Sequence, residues 1–220
     1  MVKIVLLDVD DTLLDFYKCS LVSLQEAFRA CQLEFKEEYY PTFKKINDNL
    51  WHQLERKEIS EEQLFSTRFQ LIFDALGLQG DSQRARIVFK EQLDNSHEVI
   101  PYAKELLDYL SSKYDLYVVS NSSEKRQVNR LTKAGFIHYF KDIYTSERMG
   151  EIKPEKAFFD ACFQEMGNPD KQEVVLIGDS LTADIQGAFN YGIQPIWFHQ
   201  GKEDIDVIQV DCLLDVKKYL

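Results

Sequence analysis

Short apolar runs alternate with helical patterns over most of the second half of the chain. The runs at 116–120 and 174–178 are apolar almost throughout, which is typical of parallel strands covered on both faces. Between the runs, apolar positions recur at helical spacing, with Val128 and Leu131 as markers of one helix that Gly135 ends. This alternation predicts a parallel sheet with helices on both faces.

Further apolar runs predict the remaining strands of that sheet. They lie at 3–8, 142–145, 195–198 and 210–214. The run at 142–145 is the weakest of these, and the run at 210–214 predicts a last edge strand.

The stretch from 16 to 100 has helical patterns only. Ser60 and Gln63 have the spacing of a capping box, and a long apolar helix face follows them. This stretch is far longer than a normal connection between a strand and the next helix. We therefore predict an α/β fold, with a Rossmann-like, doubly wound core formed by 1–15 and 101–220 and with 16–100 inserted as a helical cap domain.

Charge and cysteine content narrow the class of protein. The 220 residues include 26 Lys and Arg against 37 Asp and Glu, and the formal charge of −11 repels nucleic-acid phosphates. No apolar run approaches the roughly 20 residues that a membrane span needs. The four cysteines form no CxxC pair. We expect a cytoplasmic protein that binds neither nucleic acid nor membranes.

Acidic residues crowd the end of the first predicted strand. Asp8, Asp10 and Asp11 lie within four residues. Carboxylates this close repel one another, and a divalent cation relieves that repulsion. Alone, the motif is as consistent with a polar turn as with a metal site.

Three later groups of polar residues are predicted at the same edge of the sheet. They are Ser120-Asn121 at the end of the second strand, Lys153-Pro154, and Asp179 at the end of a later strand, with Asp184 one helical turn further on. Pro154 is expected in the first turn of the next helix. Ligands of open α/β sheets bind at the carboxyl ends of the strands, so these groups together predict one site.

The order of these motifs resembles that of the haloacid dehalogenase superfamily. The matching segments are Asp8-Val9-Asp10-Asp11-Thr12, Ser120-Asn121, Lys153-Pro154 and Gly178-Asp179 with Asp184. The resemblance covers the whole chain and includes a helical cap in the position of the superfamily's first cap type. Asp11 and Ser122 stand where the superfamily often has glycine, and neither departure removes a needed functional group.

The resemblance implies a phosphomonoesterase that works through an aspartyl-phosphate. It assigns the nucleophile to Asp8, the general acid and base to Asp10, and the neutralisation of the phosphoryl oxygens to Lys153. The implied phosphate-binding groups are the Ser120 hydroxyl, the backbone N–H groups of Asp11 and Asn121, and Thr12. The implied ligands of Mg²⁺ are the Asp8 carboxylate, the Asp10 carbonyl and the Asp179 carboxylate, with Asp184 orienting a metal-bound water or Lys153.

Within the superfamily, the chain looks similar to the pyrimidine 5'-nucleotidases. The residues that carry this similarity in the cap are Asn47, Leu50-Trp51 and Arg68-Phe69. Asn47, Trp51 and Arg68 are candidate substrate contacts. Trp51 is equally consistent with cap core, and Arg68 lies off the main apolar stripe, where a solvated cation is more common. The expected small-molecule substrate is a pyrimidine nucleoside monophosphate, and this preference rests on the resemblance alone.

Several other functions stay open at this point. On the same fold, the chain could be a sugar-phosphate phosphatase, a phosphoglucomutase or a hydrolytic dehalogenase. A dehalogenase attacks carbon and needs no metal, so Asp10 and Asp179 would be unnecessary in it. From a different class, a phosphoryl-accepting receiver module also uses acids, a hydroxyl and a lysine. A receiver does not need such a long insertion, and its acceptor does not lie on the first strand.

Overall fold

A computed structural model describes residues 1–201 and 203–220 of the chain. Its strands are β1 (Ile4–Leu7), β2 (Asp115–Ser120), β3 (Asp142–Thr145), β4 (Val174–Gly178), β5 (Gln194–Phe198) and β6 (Ile208–Val210). They form one parallel sheet in the order β3-β2-β1-β4-β5-β6. The chain winds outward from β1 in both directions, which confirms the predicted doubly wound α/β fold.

Helices connect the strands and form most of the segment between β1 and β2. They are α1 (Phe16–Ala30), α2 (Tyr40–Glu55), α3 (Glu61–Leu76), α4 (Ser82–Asn95), α5 (Ala103–Ser111), α6 (Glu124–Lys133), α7 (Ser146–Met149), α8 (Lys156–Glu165) and α9 (Gly187–Tyr191). A wider, π-type helical segment, Leu181–Gln186, runs directly into α9. Among the described residues, no helix combines the length and the apolar character that a membrane crossing requires.

Both faces of the sheet carry an apolar core, because successive side chains of a strand point to opposite faces. Val5 and Leu7 belong to a buried cluster that includes Leu107 of α5. Leu6 belongs to the cluster of the other face, with Phe158 of α8. The central strand β1 is buried along its whole length. Its packing therefore fixes the position of the residues that follow its carboxyl end.

The described residues divide into two compact units. One consists of Met1–Phe16 and His97–Leu220 and contains the sheet, and the other is Tyr17–Ser96. The helical unit has its own aromatic core, in which Phe69 contacts both Phe73 and Phe89 edge to face. That this unit serves as a cap domain stays a prediction.

Two local predictions differ from the structure. The last edge strand exists as β6, but of the predicted range 210–214 it includes only Val210. Leu213–Lys218 is a tight helical segment whose buried Leu213 and Val216 are three residues apart. Pro154 lies before α8 and not in its first turn, because the helix begins at Lys156.

Candidate active site

Asp8 lies directly after β1 and is almost completely buried. Its backbone N–H donates to the carbonyl oxygen of Ile177 at 3.0 Å, which continues the pairing of β1 with β4 by one residue. The carboxylate is therefore held at the carboxyl edge of the sheet, between the ends of β2 and β4.

Lys153 joins Asp8 to two other parts of this edge. Its Nζ donates to Asp8 Oδ1 at 2.7 Å, to Asp184 Oδ1 at 2.7 Å and to the carbonyl oxygen of Val119 at 2.8 Å. An ammonium group has three protons, so each has an acceptor inside the protein. The side chain is 2% exposed, and these contacts compensate for its lost hydration.

The side chain of Asn121 holds the backbone of Lys153. Its Nδ2 donates to the Lys153 carbonyl oxygen at 2.8 Å, and its Oδ1 accepts from the Lys153 N–H at 2.7 Å. The resemblance assigns a role only to the backbone N–H of Asn121 and none to this side chain. An amide side chain can pair with a peptide group as donor and acceptor at once, but the sequence does not show which peptide group it meets.

Asp179 and Asp184 follow β4 and complete an acidic cluster. Asp184 Oδ2 accepts from the Ser180 N–H at 3.1 Å, and Thr12 Oγ1 donates to Asp179 Oδ1 at 3.2 Å. Asp8, Asp179 and Asp184 each offer a carboxylate oxygen, and these atoms lie within 4.8 Å of one another. The structure thus brings three of the predicted acids together with Lys153 and Thr12.

The electrostatics of this cluster favour a cation. Burial raises the pKa of Asp8 to about 8, with Lys153 opposing the rise and Asp184 adding to it. Burial and the charges of Asp8 and Asp184 raise the pKa of Asp179 well above its usual value. Burial works against the charge of Lys153, but Asp184 and Asp8 hold its pKa above the usual range. One lysine faces three carboxylates, and an all-oxygen donor set of this kind fits Mg²⁺.

Asp10 lies in a neighbouring hydrogen-bond network that its motif does not predict. Its Oδ1 accepts from Arg130 Nη1 at 2.5 Å, and its Oδ2 accepts from Gln127 Nε2 at 3.0 Å. Gln127 Nε2 also donates to Ser120 Oγ at 2.9 Å. Burial acts to raise the pKa of Asp10, but the guanidinium of Arg130 holds that pKa below its usual value.

Asp11 differs from its predicted role in phosphate binding. Its backbone has φ 58°, a left-handed conformation, and its N–H donates to the carbonyl oxygen of Leu14 at 2.8 Å. The N–H that the resemblance assigns to phosphate is therefore already used within the turn. The Asp11 carboxylate accepts from the Phe16 N–H at 3.0 Å at the start of α1, which explains a side chain where the superfamily often has glycine.

Two of the candidate substrate contacts lie buried in the helical unit. Arg68 Nη1 donates to Asn47 Oδ1 at 3.0 Å, and each residue is 4% exposed. The expectation of a solvated cation at Arg68 is wrong: its guanidinium also lies 4.7 Å from the centre of the Phe89 ring. Trp51 is half-buried and packs edge to face with Phe65. Their contact with a substrate stays a prediction.

The chain is similar to known proteins over most of its length. The model of the haloacid dehalogenase-like hydrolase family matches residues 5–198. The pyrimidine 5'-nucleotidase PynA of Streptococcus pneumoniae is 34% identical over 198 residues, 90% of this chain and 84% of that protein. The pyrimidine 5'-nucleotidase YjjG of Escherichia coli is 28% identical over 192 residues, 87% of this chain and 84% of that protein.

A solved structure matches the whole chain. The HAD hydrolase YfnB of Bacillus subtilis, crystallised with bound magnesium, superposes with a TM-score of 0.94 and 29% identity, covering 99% of this chain and 98% of that one. In sequence, YfnB is 31% identical over 197 residues, 90% of this chain and 84% of that protein. The similarity therefore includes the helical insertion as well as the sheet.

Proposed function

This chain belongs to the haloacid dehalogenase-like hydrolase family, and on that basis we propose that it is a Mg²⁺-dependent phosphomonoesterase that forms an aspartyl-phosphate. The observation that carries the proposal is the buried Asp8, held by Lys153 beside Asp179 and Asp184. A nucleophile, a fixed cation and further oxygen donors are the groups that transfer of a phosphoryl group needs.

In the first step, a carboxylate oxygen of Asp8 attacks phosphorus and the bond to the leaving oxygen breaks. Lys153 holds Oδ1 of Asp8, so we assign the attack to Oδ2. Lys153 thereby fixes the carboxylate in one orientation, and its charge favours the ionised nucleophile. Asn121 supports this arrangement through its hydrogen bonds to the Lys153 backbone.

Asp10 is the proposed general acid and base. Because Arg130 holds its pKa below the usual value in the free protein, Asp10 would take up its proton as the dianionic substrate phosphate binds beside it. It gives a proton to the leaving alkoxide, which departs as an alcohol, and it later takes a proton from the water that attacks the aspartyl-phosphate. The second step releases inorganic phosphate and restores the Asp8 carboxylate, so the protons balance over one turnover. A general acid of this kind contributes about 10²–10⁴-fold to the rate.

Asp8 and Asp179 are the side chains that we propose as ligands of Mg²⁺, with the Asp10 carbonyl as the third group that the resemblance implies. When bound, Mg²⁺ would reduce the repulsion between the substrate phosphate and Asp8. Asp184 is better placed to hold Lys153, because its two oxygens already accept from Lys153 and from the Ser180 N–H. A dehalogenase, which attacks carbon, would have no use for the second acid Asp10 or for Asp179.

The proposed substrate is a pyrimidine nucleoside 5'-monophosphate. Support comes from two relatives named pyrimidine 5'-nucleotidases, PynA and YjjG. We also propose that the helical unit acts as the cap that selects the leaving group, with Asn47, Trp51 and Arg68 as candidate contacts. Sugar phosphates are the competing substrate class.

A phosphate-release screen with Mg²⁺ tests this function. We expect thymidine and uridine 5'-monophosphates to be hydrolysed faster than purine nucleotides or hexose phosphates, over many turnovers per chain. Asp8→Asn is expected to abolish turnover while the fold survives, and the exposed Asp204→Asn is the matched control with wild-type turnover. Faster hydrolysis of hexose phosphates would contradict the proposed substrate class. Turnover by Asp8→Asn would contradict the assignment of Asp8 as the nucleophile. A single phosphoryl transfer per chain would show that the protein is not a hydrolase.

A further inference from the structure

Helix α6 has a buried face that is mostly polar. Its buried side chains are Gln127, Arg130 and Leu131, and the first two are fully inaccessible to solvent. A buried guanidinium costs free energy unless a carboxylate and hydrogen bonds replace its hydration. Apolar side chains would serve better if the only task of this face were to pack α6 on the sheet.

The two polar side chains of this face hold both carboxylate oxygens of Asp10. Arg130 Nη1 contacts Oδ1 at 2.5 Å, and Gln127 Nε2 contacts Oδ2 at 3.0 Å. Residues three apart on a helix are neighbours, so the two donors reach the carboxylate side by side. Because each oxygen has its own donor, any rotation of this carboxylate breaks at least one hydrogen bond.

Gln127 also connects Asp10 to the end of β2. Its Nε2 has two protons, and the second acceptor is Ser120 Oγ at 2.9 Å. Ser120 is 2% exposed and is the residue to which the resemblance assigns a phosphoryl contact. A single buried amide thus fixes the spacing between the proposed acid and the proposed phosphate-binding hydroxyl.

We propose that Gln127 and Arg130 are positioning residues that aim Asp10 at the leaving oxygen of the substrate. This inference rests on the proposed function, in which Asp10 gives its proton to that oxygen as the P–O bond breaks. Neither residue is assigned a contact with the substrate, since both act through Asp10. An acid must lie within hydrogen-bond reach of the atom that it protonates, and loss of its anchors therefore slows this transfer.

Two substrates with different leaving groups distinguish a positioning role of Gln127 and Arg130 from a merely structural one. p-Nitrophenolate departs without a proton, whereas the 5'-alkoxide of thymidine requires one. The ratio kcat/KM reports the steps up to departure of the leaving group, so the later hydrolysis of the aspartyl-phosphate does not enter the comparison. Removal of the Arg130 charge makes Asp10 easier to protonate, so any loss in Arg130→Met must come from lost orientation of the acid. We expect this loss to dominate and to lower kcat/KM for thymidine 5'-monophosphate about tenfold or more beyond its effect on p-nitrophenyl phosphate.

Two further variants keep the test decisive. Arg130→Lys retains a charged donor and is expected to regain part of the loss with the nucleotide. Gln127→Met removes the other anchor and is expected to change the ratio of the two kcat/KM values in the same direction. It replaces Arg130→Met in the test if circular dichroism shows that Arg130→Met does not fold. Leu131→Val is the matched control on the same buried face, and its ratio is expected to equal that of the wild type.

The outcomes distinguish this inference from the function on which it rests. If folded Arg130→Met and Gln127→Met lower both kcat/KM values equally, or slow the nitrophenyl ester more, the positioning role is wrong. If the wild-type protein with Mg²⁺ hydrolyses neither ester, the proposed function itself is wrong.

Discussion

Lys153 is the residue on which the buried charges of the site depend. Its three protons are distributed over Asp8, Asp184 and the carbonyl oxygen of Val119. Asp8 is 7% exposed and Asp184 is 1% exposed, so water contributes little to the stabilisation of either carboxylate. Removal of one partner from such a group leaves uncompensated buried charge.

Replacement of Lys153 is therefore expected to destabilise the fold strongly. We predict that Lys153→Met lowers the free energy of unfolding by about 3–5 kcal/mol, measured by urea denaturation in EDTA, because Asp8 and Asp184 lose their cation. Lys156→Met is the matched control, since Lys156 pairs with Asp160 on the surface. An exposed pair of this kind contributes at most about 1 kcal/mol.

Equal losses in the two lysine variants would contradict this account. They would mean that the carboxylates of the site are compensated without Lys153. Asp184→Asn gives an independent measurement, because it removes a neighbouring carboxylate from Lys153 and leaves Asp8 in contact with it.

Gly178 shows how closely these groups are packed. A Cβ atom added at this position would lie 2.3 Å from Asp184 Oδ2 and 2.4 Å from Asp184 Cγ. Asp184 in turn holds both Lys153 and the Ser180 N–H. The glycine of the Gly178-Asp179 motif is therefore required by the position of a carboxylate six residues later, and not by its own backbone angles.

At the scale of elements, the capping box of α3 is local enough to be predicted from sequence. Ser60 Oγ accepts from the Gln63 N–H at 3.1 Å, and Gln63 Oε1 accepts from the Ser60 N–H at 2.8 Å. We predict that Ser60→Ala lowers the free energy of unfolding by about 1 kcal/mol, because the first turn of the helix loses an acceptor. Urea denaturation measures this effect.

Ser66→Ala is the control for the capping prediction. Ser66 is exposed within the same helix and caps neither end, so its replacement is expected to change stability by no more than about 0.5 kcal/mol. A Ser60→Ala variant as stable as the wild type would show that water replaces the cap without cost.

Helix α6 marks the limit of what periodicity can predict. Its existence and its end at Gly135 follow from local signals, but Val128, a predicted apolar marker, is 39% exposed. Gln127 and Arg130 are buried instead, because Asp10, more than a hundred residues earlier, accepts their hydrogen bonds. A single helix sequence does not contain its distant partner, so a polar residue on it is assigned to solvent by default. The same reason explains the wrong expectation at Arg68.

Strands and strand ends, in contrast, could be predicted. The segment at 174–178 coincides with β4, because a strand covered on both faces must be apolar throughout, and the weaker segment at 142–145 coincides with the edge strand β3. The convergence of Asp8 and Asp179 follows from the topology alone, since carboxyl ends of parallel strands share one edge. The hydrogen bonds of the Asn121 side chain to Lys153 could not be predicted, because they depend on the exact path of a loop.

At the scale of the whole molecule, the order of the strands determines which residues meet. β1 lies between β2 and β4, so Asp8 follows a strand whose neighbours end at Ser120 and Gly178. This strand order brings Asp8 close to Asp179 and Asp184 in a largely buried cluster. Folding without a metal ion must tolerate this repulsion, and it does so partly through the raised pKa values of Asp8 and Asp179.

Mg²⁺ is therefore expected to stabilise the entire sheet-containing unit. An ion that binds the native state only raises the free energy of unfolding by about 2.7 kcal/mol at a concentration of 100 Kd. We predict that Mg²⁺ raises the melting temperature of the wild type, that EDTA reverses the rise, and that Asp179→Asn loses most of it. Differential scanning calorimetry measures these shifts without any substrate.

Trp197 provides a second, local measurement of the same binding. Its indole N–H donates to the carbonyl oxygen of Asp179 at 2.7 Å, so a ligand on Asp179 changes the surroundings of the ring. The chain has two tryptophans, and Trp51→Phe leaves Trp197 as the single fluorophore. We expect its emission to change with Mg²⁺ over the same concentrations that raise the melting temperature. If Mg²⁺ stabilises Asp179→Asn as much as the wild type, with no fluorescence change in either, the ion binds elsewhere and the acidic cluster is not its site.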